Sequence, residues 1–358
     1  MDTIPTTARS LGRFYMTDGD TLARNYKNVL SDFPAWEQKP HAQDWVLLAE
    51  NLGERMSIDE SCLHEDLFTF LSNKDGHCKS GTIAAVVRGT KAEDVLKVLL
   101  QIPEEERLKV KEVTMDLSES MYSIVTRAFP NAVIVLDCFH IMKRCNEAIE
   151  ELRLRYKREA QAIVKRERRA FKAKLKQRAA RRKQYRKNHP KNYSGKVRGR
   201  KPSRKNEKFR PAVLSNGDTL VELLTRSKYA LTTSREKWSE KQKVRMALVF
   251  ERYPKLKDAY NLVNKLRSIF RSKNLDRDAA KAKLQEWYQA VTDCTLREVK
   301  AARDTIKSRE DDVLNYFINH STNASAESLN SKMKGFRSEL RGVSDMPFFM
   351  YRLCKIFG

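Results

Sequence analysis

The chain has 358 residues, 41% of them apolar, which is enough for two or three domains with cores and too many for a wholly disordered polymer. Its formal charge of +25 calls for a polyanionic partner, and nucleic acid is the simplest. No apolar run approaches the roughly 20 residues that span a bilayer, and no amphipathic or lipidated anchor suggests a membrane surface.

The first 50 residues read as a partly helical leader, with helical apolar spacing at Leu22, Tyr26 and Leu30. From residue 51 the pattern becomes α/β. ERMSIDE predicts a strand ending in acids, LFTFLSN (67–73) a second, and SGTIAAVVRG a third after a Lys-Asp-Gly-His turn. A helix over 92–102, a strand KEVTMD (111–116), a helix through ESMYSIVTRAF and a strand AVIVLD (132–137) follow. The close connections predict an antiparallel meander, and the helical crossovers force the later strands parallel.

From about 141 to 315 nearly everything is helical in pattern. One helix could run to Pro190 without a Gly or Pro, and residues 188–211 read as a flexible loop. Residues 151–210 hold 26 Lys and Arg against 4 Asp and Glu, so the basic excess is local. The last segment predicts a helix at ASAESLNSKMKGF and ends in MPFFMYRLCKIF. The expected domains are a leader (1–50), a catalytic domain (51–145 and 312–358) and a basic helical insertion (146–311). The six cysteines contain no C-x-x-C pair, and no signal peptide is evident, so a reduced, cytoplasmic and nucleoid-associated protein without zinc ribbons is expected.

Asp59 and Asp116 each end a predicted strand. In a meander followed by a crossover these strands lie side by side, so two carboxylates would emerge together, as a hard divalent cation requires. Glu327, Asn330, Ser331 and Lys334 share one polar helix face, opposite Leu329, Met333 and Phe336. Simpler roles remain open: Ser118 could cap a helix beside Asp116, and Glu327 could be a surface residue. Asp137 and His140 form a second cluster, with Asp137 either a helix cap or a substitute acid. Glu60 is a further secondary candidate.

These stretches resemble the DDE transposases of bacterial insertion sequences, of the ISL-three group. The matching segments are MSIDES (56–61), VTMDLSESMYSIVTRAFPNAVIVLDCFHIMK (113–143) and 314–353. The resemblance implies a ribonuclease H-like mixed sheet (β-β-β-α-β-α-β-α) with an all-α insertion before the last catalytic helix. It places the catalytic, metal-binding acids at Asp59, Asp116 and Glu327, and a D-x-F-H signature at Asp137 and His140. It implies Mg²⁺ (or Mn²⁺), with two ions roughly 3.5–4 Å apart cutting DNA at transposon ends and joining it to target DNA. Many relatives begin with a Cys-rich segment and a helix-turn-helix, which are not recognisable here. A separate end-recognition subunit is therefore expected, and the resemblance also implies a homodimer on paired ends. The candidates for gripping double-stranded DNA are Arg155, Arg158, Lys165, Arg168, Arg169, Lys172, Lys176, Arg181 and Arg182 on the long helix, Arg198, Arg200, Lys201, Arg204 and Lys205 in the loop, and Lys332, Lys334, Arg337 and Arg341 beside Glu327. Two rival readings are a ribonuclease H-like structure-specific nuclease and a catalytically inactive basic DNA-binding relative.

Overall fold

The computed structural model describes residues 1–63, 65–189 and 208–358. It divides into two compact units. One comprises residues 1–143, 269–286 and 304–358; the other comprises 144–268 and 287–303.

The first unit is built on a six-stranded mixed sheet. In chain order its strands are β1 (Trp45–Leu47), β2 (Arg55–Leu63), β3 (Asp66–Asn73), β4 (Ile83–Arg88), β5 (Glu112–Met115) and β6 (Val133–Leu136), and across the sheet they run β1-β4-β3-β2-β5-β6. The β2-β3-β4 meander is antiparallel, and β2, β5 and β6 are parallel. Strand β1 was not foreseen: it lies in the stretch read as leader and pairs through Val46 with Val86. The leader also forms two short helices, α1 (Ala8–Phe14) and α2 (Gly19–Asn25).

The crossovers are helical because their apolar residues repeat on one face. Helix α3 (Ala92–Leu99) buries Val95, Leu96, Val98 and Leu99. After the short α4 (Glu104–Arg107), helix α5 (Glu119–Ala128) buries Met121, Ile124, Val125 and Ala128 and is capped by the Ser118 hydroxyl.

Helix α6 (Cys138–Asn188) is a continuous 51-residue helix. Cys145, Ala148, Ile149, Leu152 and Ala160 are buried along its first part. Beyond Ala160 the side chains are exposed or half-buried, so helix-favouring Ala, Lys, Arg and Gln carry it.

The regular structure of the second unit is helical among the described residues, apart from one isolated bridge between Val213 and Thr219. Besides most of α6 it holds α7 (Leu220–Arg226), α8 (Lys228–Thr232), α9 (Glu240–Arg252) and parts of α10 (Pro254–Arg271), α11 (Arg277–Thr292) and α12 (Arg297–Lys307). Trp238 and Trp287 are core residues, their indole N–H groups donating to Ala230 O and Leu262 O, both at 2.8 Å.

The chain then adds α13 (Glu310–Leu314), α14 (Tyr316–Asn319), α15 (Ala324–Glu339) and α16 (Met346–Phe357) to the first unit. Leu329, Met333 and Phe336 of α15 join Phe68, Phe70 and Val86 of the sheet and Phe349, Met350 and Leu353 of α16 in one buried cluster. The apolar face read from the sequence is therefore the face that fixes α15 against the strands. Among the described residues no helix is long and apolar enough to cross a membrane.

Candidate active site

The register of β2 and β5 brings the first two acids together. Ser57 pairs with Thr114, the last rung between these strands, so Asp59 and Asp116 stand at the next equivalent level. Strand β2 does not end at the acids, as its sequence suggested: it runs on to Leu63, paired with β3. The SCL extension keeps the hairpin going while β5 stops at Met115. Asp59 thus projects where two parallel strands have parted.

Helix α15 supplies the rest. Asn330, 8% exposed, donates from Nδ2 to Asp59 Oδ2 at 2.6 Å, a bond across 271 residues of sequence. The Glu60 amide donates to Asp59 Oδ1 at 2.8 Å. Burial pushes the Asp59 carboxyl up to about 6, helped by the negative charges of Asp116 and Glu327 and opposed by His140. Glu327 lies one turn before Asn330 on α15 and is exposed. Glu60 is half-buried, and its carboxyl is raised by burial and by Asp116. The charge of Asp116 thus bears on both Asp59 and Glu60, and that of Glu327 on Asp59.

On the other side of Asp116 stand Asp137 and His140. Asp137 is 2% exposed and directly precedes α6; its amide donates to Met115 O at 2.9 Å. His140 Nδ1 lies 2.8 Å from Asp116 Oδ1 and 3.0 Å from Asp137 Oδ2. Only the second contact has hydrogen-bond geometry, which leaves Asp116 Oδ1 buried beside a cation without a hydrogen bond of its own. The Asp116 carboxylate, then that of Asp137, holds the imidazole protonated up to about 10. Among the described residues, the one grouping of acids, His and Cys whose ligand atoms lie within 4.8 Å of one another is Asp116, Asp137 and His140, which includes neither Asp59 nor Glu327; it could hold a metal only with the imidazole deprotonated. Burial and the Asp137 charge push the neighbouring Cys138 thiol up to about 11, so it is no thiolate nucleophile.

Beneath the acids lies a network that the sequence did not flag. Alternation along β5 puts Glu112, Thr114 and Asp116 on one face. Lys74, from the β3-β4 turn, lies 3.0 Å from Glu112 Oε1 and donates to the Thr114 hydroxyl, while Asn319 donates to Glu112 Oε2 at 3.3 Å. The polar alternation E-V-T-M-D was the available signal.

Among the basic candidates, Arg155 lies 2.7 Å from Glu298, whereas Arg158, Lys165, Arg169, Lys172, Lys176, Arg181 and Arg182 are exposed along α6. Arg168 stands over the Phe209 ring. Lys332 donates to Cys78 O at 2.9 Å, Lys334 is exposed and Arg337 is half-buried. Arg198, Arg200, Lys201, Arg204 and Lys205 lie outside the described residues, as does most of the predicted loop 188–211.

A mixed α/β fold with clustered acids where parallel strands part defines a class of acidic-site proteins of α/β architecture. The comparisons are more specific. The family model for ISL3-type DDE transposases, described as "Transposase", matches residues 56–353, and the chain belongs to that family. It is also similar to the transposases for insertion sequence element IS1557 from two strains of Mycobacterium tuberculosis (CDC 1551 / Oshkosh and ATCC 25618 / H37Rv). Each is 24% identical over 241 residues, covering 65% of this chain and 46% of the relative. The chain spans about half the length of the curated relatives it matches. No solved structure matches.

Proposed function

We propose that this chain is the catalytic part of a DNA transposase, cleaving strands at transposon ends and transferring them into target DNA, with Asp59, Asp116 and Glu327 as its catalytic acids. The observation that carries this reading is geometric: the register of β2 and β5 sets Asp59 and Asp116 at one level, and α15, the helix of Glu327, is tied to Asp59 through Asn330 at 2.6 Å. The order β4-β3-β2-β5-β6, with its antiparallel meander and parallel pair, supports a ribonuclease H-like core. In functional terms residues 51–145 and 312–358 form the catalytic domain, and 146–311 the basic insertion.

The donor set suits a divalent cation. It is oxygen-rich, Asp116 Oδ1 is buried without a hydrogen bond, and Asp59 carries a charge that its surroundings penalise. Bound there, Mg²⁺ or Mn²⁺ would polarise a phosphodiester oxygen and lower the pKa of water or of a DNA 3′-hydroxyl. Asn330 holds the Asp59 carboxylate in one orientation. Asp137 fixes His140, and His140 holds its positive charge against Asp116. Lys74 and Glu112 brace β5 from below. The exposed cations of α6 grip the DNA backbone. End recognition by a separate subunit, pairing of two copies on paired ends, and action in the cytoplasm at the nucleoid belong to the same reading.

The test is a strand-transfer assay on labelled end DNA in Mg²⁺ or Mn²⁺. Wild-type protein should give joined product, and Asp59→Ala or Glu327→Gln should reduce it at least roughly 100-fold. Nicking without joining would favour the nuclease reading, and binding without cleavage the inactive relative. Near wild-type turnover by either variant would remove the residue from the catalytic set. Loss of activity in Asp137→Asn with retention in Glu327→Gln would shift the ligand set to Asp116, Asp137 and His140.

A further inference from the structure

The first unit holds a cavity of about 570 Å³ away from the acids, between the two leader helices and the C-terminal end of α15. Arg13, Arg341 and Arg352 all reach its wall. Arg9 does too, but it is paired with Asp20 at 2.7 Å. Glu339 is the other carboxylate in the lining, so cationic charge prevails.

Arg352 is the most informative of these residues. It is 2% exposed, yet its guanidinium lies in no ion pair among the described residues. Its Nη2 donates to Met1 O at 2.7 Å and reaches the carbonyls of Thr6 and Ile4 at 3.2 and 3.4 Å, all neutral acceptors. Its Nε is buried without a hydrogen-bond partner, and the guanidinium stands over the Tyr26 and Phe336 rings at 5.4 and 5.1 Å. The Asp2 charge acts on it without a direct ion pair, and a buried guanidinium that leaves a donor unmade is costly unless a ligand completes it.

Arg341 points the same way by independent means. It follows the last turn of α15 with φ +57°, the left-handed position at which glycine is the usual residue. Gly342 N bonds back to Arg337 O at 3.1 Å, as such helix ends do. A strained arginine there makes sense if its side chain is needed. Tyr26 and Phe348 add aromatic surface to the same wall. The volume exceeds what one phosphate ion needs and falls in the range of small-ligand pockets.

Helix α15 links this cavity to the acids. Glu327, Asn330, Lys334, Arg337 and Arg341 recur at spacings of three and four, and Arg341 stands about 20 Å along the axis from Glu327. We propose that the cavity takes one nucleotide of a DNA strand, its phosphodiester held by Arg13, Arg341 and Arg352, roughly six nucleotides of duplex rise from the phosphate at the acids. This rests on the reading of the chain as a DNA-acting enzyme, but it concerns binding and needs no cleavage.

The test uses the full chain in EDTA, so that a failure of the catalytic reading cannot be mistaken for a failure of this one. Binding of a labelled oligonucleotide is followed by anisotropy against salt, for wild type and for Arg13→Ala/Arg341→Gly, each also in an Asp59→Ala background. The log–log salt slope should fall in magnitude by about 0.9 per lost contact, hence by roughly 1 to 2. The melting temperature should not fall, because glycine relieves the left-handed position. A deoxynucleoside 5′-monophosphate should raise the melting temperature of wild type and not of the double variant, and inorganic phosphate should do so less. An unchanged slope, a weaker slope accompanied by a lower melting temperature, or equal stabilisation by inorganic phosphate and nucleotide would each overturn the proposal.

Discussion

The carboxylate cluster and the outer part of α6 are both densely charged, and they manage charge in opposite ways. Around Asp59 and Asp116, side chains from β2, β5, α6 and α15 meet within hydrogen-bond range, most of them half-buried or buried. Along residues 161–189 the cations are exposed on one helix, and water screens them. The first arrangement fixes the direction of individual carboxylates through hydrogen bonds and packing. The second fixes only how much charge a surface carries. Chemistry on a single phosphodiester needs the former; holding a polyanion in any register needs only the latter.

The sharpest break in the comparison is in stability. Met333 is fully buried between the sheet and α16, so Met333→Ala should cost roughly 2–5 kcal/mol in chemical denaturation, because the cavity cannot collapse between packed layers. A loss of less than about 1 kcal/mol would mean that α15 is not held by this face, and the position of Glu327 would need another support.

This also shows what was legible in the sequence. The Leu329, Met333 and Phe336 spacing, the strand order and the breaks at Pro103 and Pro130 were readable, because periodicity and backbone restriction are local. The pairing of Asp59 with Asn330 was not. The polar face of α15 was visible, but which strand it would meet depends on packing across 271 residues. Strand β1 escaped for a similar reason: three residues carry too little pattern, and its pairing with β4 is what makes it a strand. The Lys74–Glu112 brace was hidden because a turn lysine looks the same whether it points to water or to a glutamate 38 residues on.

Asn330 is the next test in size. Asn330→Ala removes the amide that orients Asp59 and leaves a buried carboxylate oxygen unpaired. On the proposed function, with Asp59 a metal ligand, strand cleavage should fall about 10–100-fold, the range for losing a group that orients such a ligand. The apparent metal concentration for half-maximal activity should rise with it. A purely structural role would lower stability and leave the metal dependence of the folded fraction unchanged. The equivalent removal on α6, Lys172→Ala, should leave metal dependence untouched.

A smaller effect follows from His140. Its folded pKa, about 10, lies above the ordinary 6.5, so protonation favours the folded state. That stability is fully present below about pH 6.5 and is lost as pH rises through 10. Asp59 acts at the other end: its carboxyl, raised to about 6, penalises the charged form, so the metal-free protein should gain stability as pH falls from about 6 to 4. Melting curves in EDTA should therefore decline between pH 6.5 and 10, and His140→Gln should flatten that limb. An unchanged slope in the variant would mean that the imidazole is not the group that titrates. No comparable group stands on residues 161–188, so variants there should keep the wild-type pH profile.

The smallest change in stability should come from the region with the most charge. Replacing Lys172, Lys176, Arg181 and Arg182 together by alanine removes four exposed cations and buries nothing new. Each substitution should alter stability by no more than about 0.5 kcal/mol, since alanine is the stronger helix former and no core contact is lost. Binding should respond instead. If each side chain meets one phosphate, the log–log salt slope falls in magnitude by about 3.6, and affinity at moderate salt drops for every DNA sequence alike. The rate of cleavage within the bound complex should stay near that of wild type. A sequence-dependent loss would mean that this part of α6 reads bases. A slower rate at saturating DNA would mean that the outer helix takes part in arranging the reacting phosphate, and the two regions would then divide the work of positioning between them.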